Sequence, residues 1–375
     1  MMQVSPPADV GMAADQVDTP ALILDLPTFE RNLERMAAAV QRSGAGLRAH
    51  AKSHKCPAVA RRQLELGAVG VCTQKVSEAA AMVDGGIGNV LVTNEIVGDR
   101  KLDRLAALAT QAWIGVCVDD ADNVAAVDAA ARRFGATVHV LVEIDVGAQR
   151  CGVPPGQPAL DLARAVAEMR NLSFAGLQAY QGRAQHIRDA GERHEAARAA
   201  AAVTAETVAL LEQNDLPCAI VSGGGTGTYE VEAGSGVYNE VQAGSYVFMD
   251  ADYGRNLGSD GKPVRDFEQS LFILSTVMSR PTAERVVVDA GLKSYSVDSG
   301  MPLIHGMGGQ SVQRASDEHG VFDLPSGMPS LRCGAKVRLV PGHCDPTVNL
   351  HDWIVGVREG IVECVWPVAA RGAVF

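Results

Sequence analysis

The sequence predicts an α/β chain, a (β/α)8 or TIM barrel followed by a C-terminal mostly-β domain. Three observations predict it. From residue 21 onward, short apolar β-prone runs alternate with longer segments of helical period, as in a parallel α/β fold. About eight such units fit before residue 252, the number that closes a barrel. After residue 252, strand-like runs follow one another with Gly, Pro and Asp between them and no convincing helix.

In order, residues 21–24, 47–51, 69–73, 90–93, 114–118, 138–144, 174–179, 219–222 and 240–243 read as strands of the series. Between them 27–42, 57–66, 77–84, 122–133 and 188–213 read as amphipathic helices. In the second part, 271–278, 285–289, 336–340, 353–357 and 361–365 read as strands. Residues 17–255 are expected to form the barrel and 256–375 the β domain, with residues 1–25 packing against the latter. The boundary falls in the loop-rich Y-G-R-N-L-G-S-D-G-K-P (253–263). A length of 375 residues with 47% hydrophobic content exceeds one ordinary core, in keeping with two domains.

A net charge of −11 repels nucleic acid and anionic membrane alike, so a small molecule is the expected partner. The first twenty residues show no basic start followed by an apolar run, and no later stretch is long and apolar enough to span a bilayer. The eight cysteines are scattered without a C-x-x-C pair, which fits reduced thiols in a cytoplasm.

Three segments could carry chemistry. In R-A-H-A-K-S-H-K (48–55), a strand runs out into a polar cluster at its C-terminal end, the active face of a barrel. Strand alternation would send His50, Lys52 and His54 to one side, where desolvation beside basic groups would lower the Lys52 pKa and make its amine a nucleophile toward a carbonyl. A solvated lysine-rich loop is the bland alternative. Two glycine-rich loops, S-G-G-G-T with Ser222, Gly224, Gly225 and Thr226, and A-G-S-Y with Gly244, Ser245 and Tyr246, follow late strands, where such barrels hold a phosphate. In P-G-H-C-D-P-T (341–347), His343 and Asp345 are two apart and share a side in extended chain, with Cys344 facing away. An imidazole with a carboxylate suits a divalent metal, although most H-x-D motifs only shape a turn. His351 and Asp352 form a rival pair.

Together these residues resemble the D-threonine aldolase and 3-hydroxy-D-aspartate aldolase family, which shares the alanine racemase-like fold. The motifs run almost through the chain: V-D-T-P (17–20), H-A-K-S-H-K-C (50–56), C-T-Q-K-V-S-E-A (72–79), E-I-D-V-G-A-Q-R-C-G-V (143–153) and Q-A-Y-Q-G (178–182). S-G-G-G-T-G (222–227), D-A-G-L-K (289–293), S-D-E-H-G (316–320) and G-H-C-D-P-T (342–347) complete them. The resemblance implies that Lys52 binds pyridoxal 5'-phosphate as a Schiff base, that the two glycine loops cradle its phosphate, and that Arg150 and Tyr180 contact the pyridine ring or its nitrogen. It implies a metal on His343 and Asp345, manganese first, with magnesium or cobalt as alternatives. His186 would stand near the substrate hydroxyl, and Asp317, Glu318 and His319 would line the pocket or orient the metal shell.

The implied reaction is cleavage of a D-3-hydroxy amino acid such as D-threonine or D-phenylserine to glycine and an aldehyde, in a homodimer. The alternative substrate, 3-hydroxy-D-aspartate, yields glyoxylate and needs a cation for its distal carboxylate, for which Arg183 and Arg255 are candidates. The rivals are a D-serine or 3-hydroxyaspartate dehydratase, which would carry H-x-C in place of this chain's H-x-D, and a non-catalytic pyridoxal phosphate-binding protein, which would lack the second domain.

Overall fold

The computed structural model describes residues 5–324 and 331–375; residues 1–4, part of the segment expected to pack with the β domain, lie outside them. The first strand, β1 (Ala21–Asp25), opens the chain, and eight further strands follow. These are β2 (Gly46–His50), β3 (Gly70–Thr73), β4 (Asn89–Glu95), β5 (Trp113–Val118), β6 (Val138–Glu143), β7 (Leu172–Gln178), β8 (Ile220–Gly223) and β9 (Glu240–Val241). Each pairs in parallel with the next, and β9 returns to β2, closing the barrel.

The period of two along each strand divides the barrel into an outer and an inner set. Val71, Val90, Val116 and Val140 face the helices and share their core with Met82, Leu105, Val127 and Ala163. The intervening Cys72, Leu91, Cys117, Leu141 and Ala175 form an apolar layer of their own. Arg48 is only 2% exposed. It closes the β2–β9 seam with Nε 2.6 Å and Nη2 2.8 Å from the Glu240 carboxylate, and its guanidinium lies 5.1 Å from the Trp113 ring centre. Gly70 leaves room for it, since a Cβ there would come within 2.6 Å of Arg48 Nη1.

The reading of residues 21–24 as the first of the barrel series is corrected by the structure. β1 lies in the second sheet, antiparallel to β10 (Leu271–Ser279) and parallel to the strand Trp353–Arg358. Its residues are almost all buried, as those of a barrel strand are, so the apolar run by itself does not tell the two sheets apart. The remaining strands are β11 (Arg285–Val288), β12 (Leu303–Ile304), β13 (Arg314–Ala315), β14 (Gly320–Asp323), β15 (Lys336–Val340), β16 (Trp353–Arg358) and β17 (Ile361–Pro367). The main order is β13-β14-β11-β10-β1-β16-β17. β12 and β13, of two residues each, and the helix Cys344–Val348 are too short for periodicity to reveal, and β14 is not among the strands read from the sequence.

The helix Leu26–Ser43 joins the two units. Asp25 caps it by accepting from Thr28 N at 3.0 Å, and Gly44, at φ 76°, ends it. Its buried Phe29, Leu33, Met36 and Val40 recur at helical spacing in one core with Leu22 and Leu24 of β1, Ile273 of β10 and Phe248 after β9. A continuous apolar core therefore sets the β domain against the barrel.

One buried carboxyl gives the fold a pH signature. Glu232, on the short helix Tyr229–Gly234, is 1% exposed; Oε1 accepts from Thr228 Oγ1 at 2.7 Å and Oε2 has no partner. Burial pushes the carboxyl up to about 7 from an ordinary value of 4.5. Between those values the folded chain keeps a proton that the unfolded chain releases, so stability falls as pH rises through this window and levels off above it. Calorimetry should show a loss on the order of 3 kcal/mol or less between pH 5 and 8, and Glu232→Gln should flatten that part of the profile.

Candidate active site

β2 stops at His50, and the chain turns into a 3-10 turn, Ala51–Ser53, so the expected alternation does not continue. His50 faces the barrel mouth, with Nε2 3.0 Å from Gln74 Nε2 and 3.2 Å from Thr93 Oγ1. His54 is instead fully buried, Nδ1 accepting from Cys56 N at 3.1 Å. Burial pushes His54 down to about 4 and His50 well below the usual histidine range, so both are neutral at pH 7. Lys52 keeps 40% of its side chain accessible, and its Nζ lies 3.5 Å from Asp345 Oδ2. Burial opposes its charge, but Asp345, aided by Tyr180, outweighs burial and lifts the ammonium above its ordinary value. The expected lowering is thus reversed, because His50 and His54 are uncharged and a carboxylate from the second domain outweighs both burial and the charge of Arg150.

The two glycine loops meet: Tyr246 N donates to Thr226 Oγ1 at 3.1 Å. Gly224 has φ +70°, and a Cβ on Gly225 would lie 2.5 Å from Gln185 Oε1, while one on Gly244 would lie 2.6 Å from Ser53 Oγ. Gly224, Gly225, Thr226, Gly244 and Ser245 are buried residues whose N–H groups donate no hydrogen bond among the described residues. Five free donors of buried residues on adjoining loops are costly unless an anion completes them, and a phosphate would do so. Two expected members have other engagements for their side chains. Ser222 Oγ accepts from Gln242 Nε2 at 2.7 Å inside the barrel, and the Tyr246 hydroxyl accepts from Gln63 Nε2 at 3.0 Å within the core.

Across the mouth, the Arg150 guanidinium lies 5.8 Å from the Tyr180 ring centre, and its Nη2 is 3.4 Å from Glu143 Oε1. Burial, with the neighbouring Glu95 carboxylate, pushes Glu143 up to about 8. Glu95 also lies with Asp119 and Cys151 so that one donor atom of each falls within 4.8 Å of the others.

His343 is extended and caps the helix Cys344–Val348, so Asp345 stands in the first helical turn and not on an extended segment. Both side chains nevertheless meet, with His343 Nε2 4.0 Å from Asp345 Oδ2, and Cys344 turns inward to Met249 O. His343 Nδ1 is 2.8 Å from Asp298 Oδ2, an arrangement that leaves Nε2 free for a metal. Burial opposes protonation of His343, but Asp345 and Asp298 overcome it and raise its pKa. Asp345 Oδ1 is buried without a partner, as a ligand atom would be before its cation binds.

His186 ends the 3-10 turn Arg183–His186, with Nδ1 2.7 Å from Asp252 Oδ2. Arg188 Nη2 lies 2.5 Å from Asp252 Oδ1, and Arg255 binds the same oxygen and Ser299 O. Arg255 is therefore committed, whereas Arg183 is exposed and has no ion pair among the described residues. The structure does not bring every expected residue to the mouth. Glu318 pairs with Lys293, Asp317 and His319 lie exposed beside it, His351 bonds Ser294 O, and Asp352 pairs with Arg371. Sequence reasoning missed Asp250, Asp252 and Asp298, although M-D-A-D-Y-G-R (249–255) had drawn attention as a motif.

Residues 24–252 match the family model of the alanine racemase N-terminal domain, and residues 270–357 match a putative serine dehydratase domain. The chain is 50% identical to D-threonine aldolase of Arthrobacter sp. over 98% of its length and 96% of that protein. It is also 50% identical to 3-hydroxy-D-aspartate aldolase of Paracoccus denitrificans strain Pd 1222, over 98% of this chain and 95% of the relative. The crystal structure of D-threonine aldolase from Filomicrobium marinum superposes with a TM-score of 0.94 at 52% identity, covering 98% of this chain and all of that one.

Asp252 contacts three basic side chains, His186, Arg188 and Arg255, and Arg188 and His186 hold its carboxyl below the ordinary value of 3.8 against the effect of burial. Asp252→Asn should cost about 2–3 kcal/mol in urea unfolding at pH 7. The difference from the parent should begin to shrink as pH falls past about 4, where the unfolded carboxyl takes up its proton, and should be lost only below the carboxyl's lowered folded value.

Proposed function

The chain belongs to the D-threonine aldolase and 3-hydroxy-D-aspartate aldolase family, with an alanine racemase-like fold, and on that premise we propose that it is a pyridoxal phosphate- and divalent metal-dependent carbon–carbon lyase. Its reaction is cleavage of D-3-hydroxy amino acids of the D-threonine and D-phenylserine type to glycine and an aldehyde. The meeting of Lys52 with Asp345 across the domain junction carries this reading, because a protein that only bound the cofactor would need no such contact.

Lys52 holds the cofactor through its aldehyde, and the free N–H groups of Gly224, Gly225, Thr226, Gly244 and Ser245 receive its phosphate. Arg150 and Tyr180 would contact the pyridine ring or its nitrogen. The cofactor supplies an electron sink for the pair left on the α carbon when the Cα–Cβ bond opens. Asp252 orients His186 through Nδ1, leaving Nε2 to accept the proton of the substrate β-hydroxyl. His343 and Asp345 would hold the metal, manganese first and magnesium or cobalt next, and the ion would supply Lewis acidity toward the β-hydroxyl. The Lys52 amine would also be placed to return a proton to the α carbon, which gives glycine. Asp345 stands where a dehydratase of this fold would carry Cys, which favours C–C cleavage over loss of water.

One observation favours a second reading, 3-hydroxy-D-aspartate giving glycine and glyoxylate. Arg183 and His186 lie three apart on one 3-10 turn, where such side chains eclipse, and Arg183 has a free guanidinium to receive a distal carboxylate. Family membership also supports a homodimer in the cytoplasm; among the described residues no helix is long and apolar enough to cross a membrane.

Purified protein with pyridoxal phosphate and manganese, given D-threonine or 3-hydroxy-D-aspartate separately, should release glycine, and chelation or Lys52→Ala should abolish this. A 2-oxo acid with ammonia and no glycine would make it a dehydratase. Arg183→Ala should raise KM for 3-hydroxy-D-aspartate about tenfold or more while sparing D-threonine. Gly225→Ala, whose Cβ would press on Gln185, should weaken cofactor binding at least about tenfold in an absorbance titration.

A further inference from the structure

Three residues beyond Lys52, the backbone of Lys55 takes a positive φ of 51°, and its N–H donates to Ala51 O at 2.7 Å, closing the turn that carries Lys52. The Lys55 side chain is buried, with Nζ 3.0 Å from Glu78 Oε1, the two side chains being 8% and 5% exposed. Glu78 is itself fixed, because Oε2 accepts from Gln74 N at 2.8 Å and Lys75 N at 3.2 Å. Lys55 Nζ also lies 3.4 Å from both Ala370 O and Ala373 O, and Lys55 O accepts from Ala370 N at 3.0 Å. Residues 368–373 are thus bound to the Lys52 turn through backbone and side chain together.

The same short segment grips the other half of the site. Val368 N donates to Asp352 O at 2.8 Å, Arg371 Nη1 is 2.8 Å from Asp352 Oδ1, and Gly372 N donates to Asn349 Oδ1 at 3.0 Å. Asn349 caps the end of Cys344–Val348, the helix whose first turn carries Asp345 and which packs on the Lys52 turn. One six-residue stretch therefore holds the chain three residues past Lys52 and four residues past Asp345. A buried ion pair is a poor source of stability but a good means of fixing one register, since any slip leaves its charges unpaired.

We propose that residues 368–373 act as a staple that sets the spacing between Lys52 and Asp345, with Lys55 as the positioning residue on the barrel side. The proposal rests on the roles given above to Lys52 and Asp345. Displacing either group by about 1 Å costs up to about 100-fold in turnover even when substrate still binds, so the staple acts on kcat and not on KM.

Two double variants of the holoenzyme test it from opposite sides. Lys55→Met with Glu78→Gln removes the buried pair together, so neither charge is stranded. Arg371→Ala with Asn349→Ala releases the exposed β-domain side and answers the question should the first variant fail to fold. Each is expected to keep its cofactor absorbance and a KM within about threefold of the parent while kcat drops about 10- to 100-fold. Combining all four changes should lower kcat no further than the worse pair, because both release the same element. A folded, cofactor-loaded variant whose kcat stays within about twofold of the parent, or whose loss lies in KM alone, overturns the staple. Borohydride reduction of the parent and peptide mapping separate the two claims: a label away from Lys52 sinks the site assignment itself, whereas a label on Lys52 with unchanged kcat in the variants sinks only the staple.

Discussion

The site depends on a buried backbone junction just beyond the last barrel strand. Asp250 is fully buried and accepts from Tyr253 N at 2.9 Å and from Cys344 N at 3.0 Å, so one carboxyl fixes both the end of the barrel and the start of the His343–Asp345 turn. Two further bonds, Ala251 N to Pro341 O at 2.9 Å and Asp252 N to Gly342 O at 3.1 Å, continue the seam. Burial pushes Asp250 up to about 6. An acid so deeply placed is tolerable because backbone donors satisfy it. Together with the apolar core around the helix Leu26–Ser43, this junction keeps Asp345 within reach of Lys52.

The barrel is graded to match. Arg48 and Glu240 close its seam by a buried ion pair, a layer around Leu91, Cys117 and Leu141 fills its middle, and polar groups such as His50, Gln74, Thr93 and Glu143 gather toward the mouth. Charge at the mouth is balanced across elements. Asp345 and Asp298 draw His343 toward protonation from one side and Asp345 sustains the Lys52 ammonium on the other, while Asp252 absorbs Arg188, Arg255 and His186. Arg183 stands outside that balance, exposed and without an ion pair among the described residues, as the proposed binding of a distal carboxylate requires.

The alternation of apolar runs with amphipathic segments, read from the sequence alone, determined the barrel and its β appendage, since burying strands and helix faces at periods of 2 and 3.6 leaves few other solutions. The candidate segments around Lys52, the two glycine loops and His343 with Asp345 could be singled out from the sequence because glycines and lone ionisable groups at strand ends are costly unless used, and the structure brings them together in space. What the sequence could not decide was which groups would face one another. β1 joined the second sheet because its apolar run is compatible with either partner, and strand choice is settled by the core around Phe29 and Ile273. His54 left the mouth because three residues of 3-10 turn rotated it away, a local event with no periodic signature. Asp250, Asp252 and Asp298 carry no motif of their own, and the sign of the Lys52 shift depended on a carboxylate 293 positions further along. Electrostatics acts through distance in space, and only the tertiary structure supplies that distance.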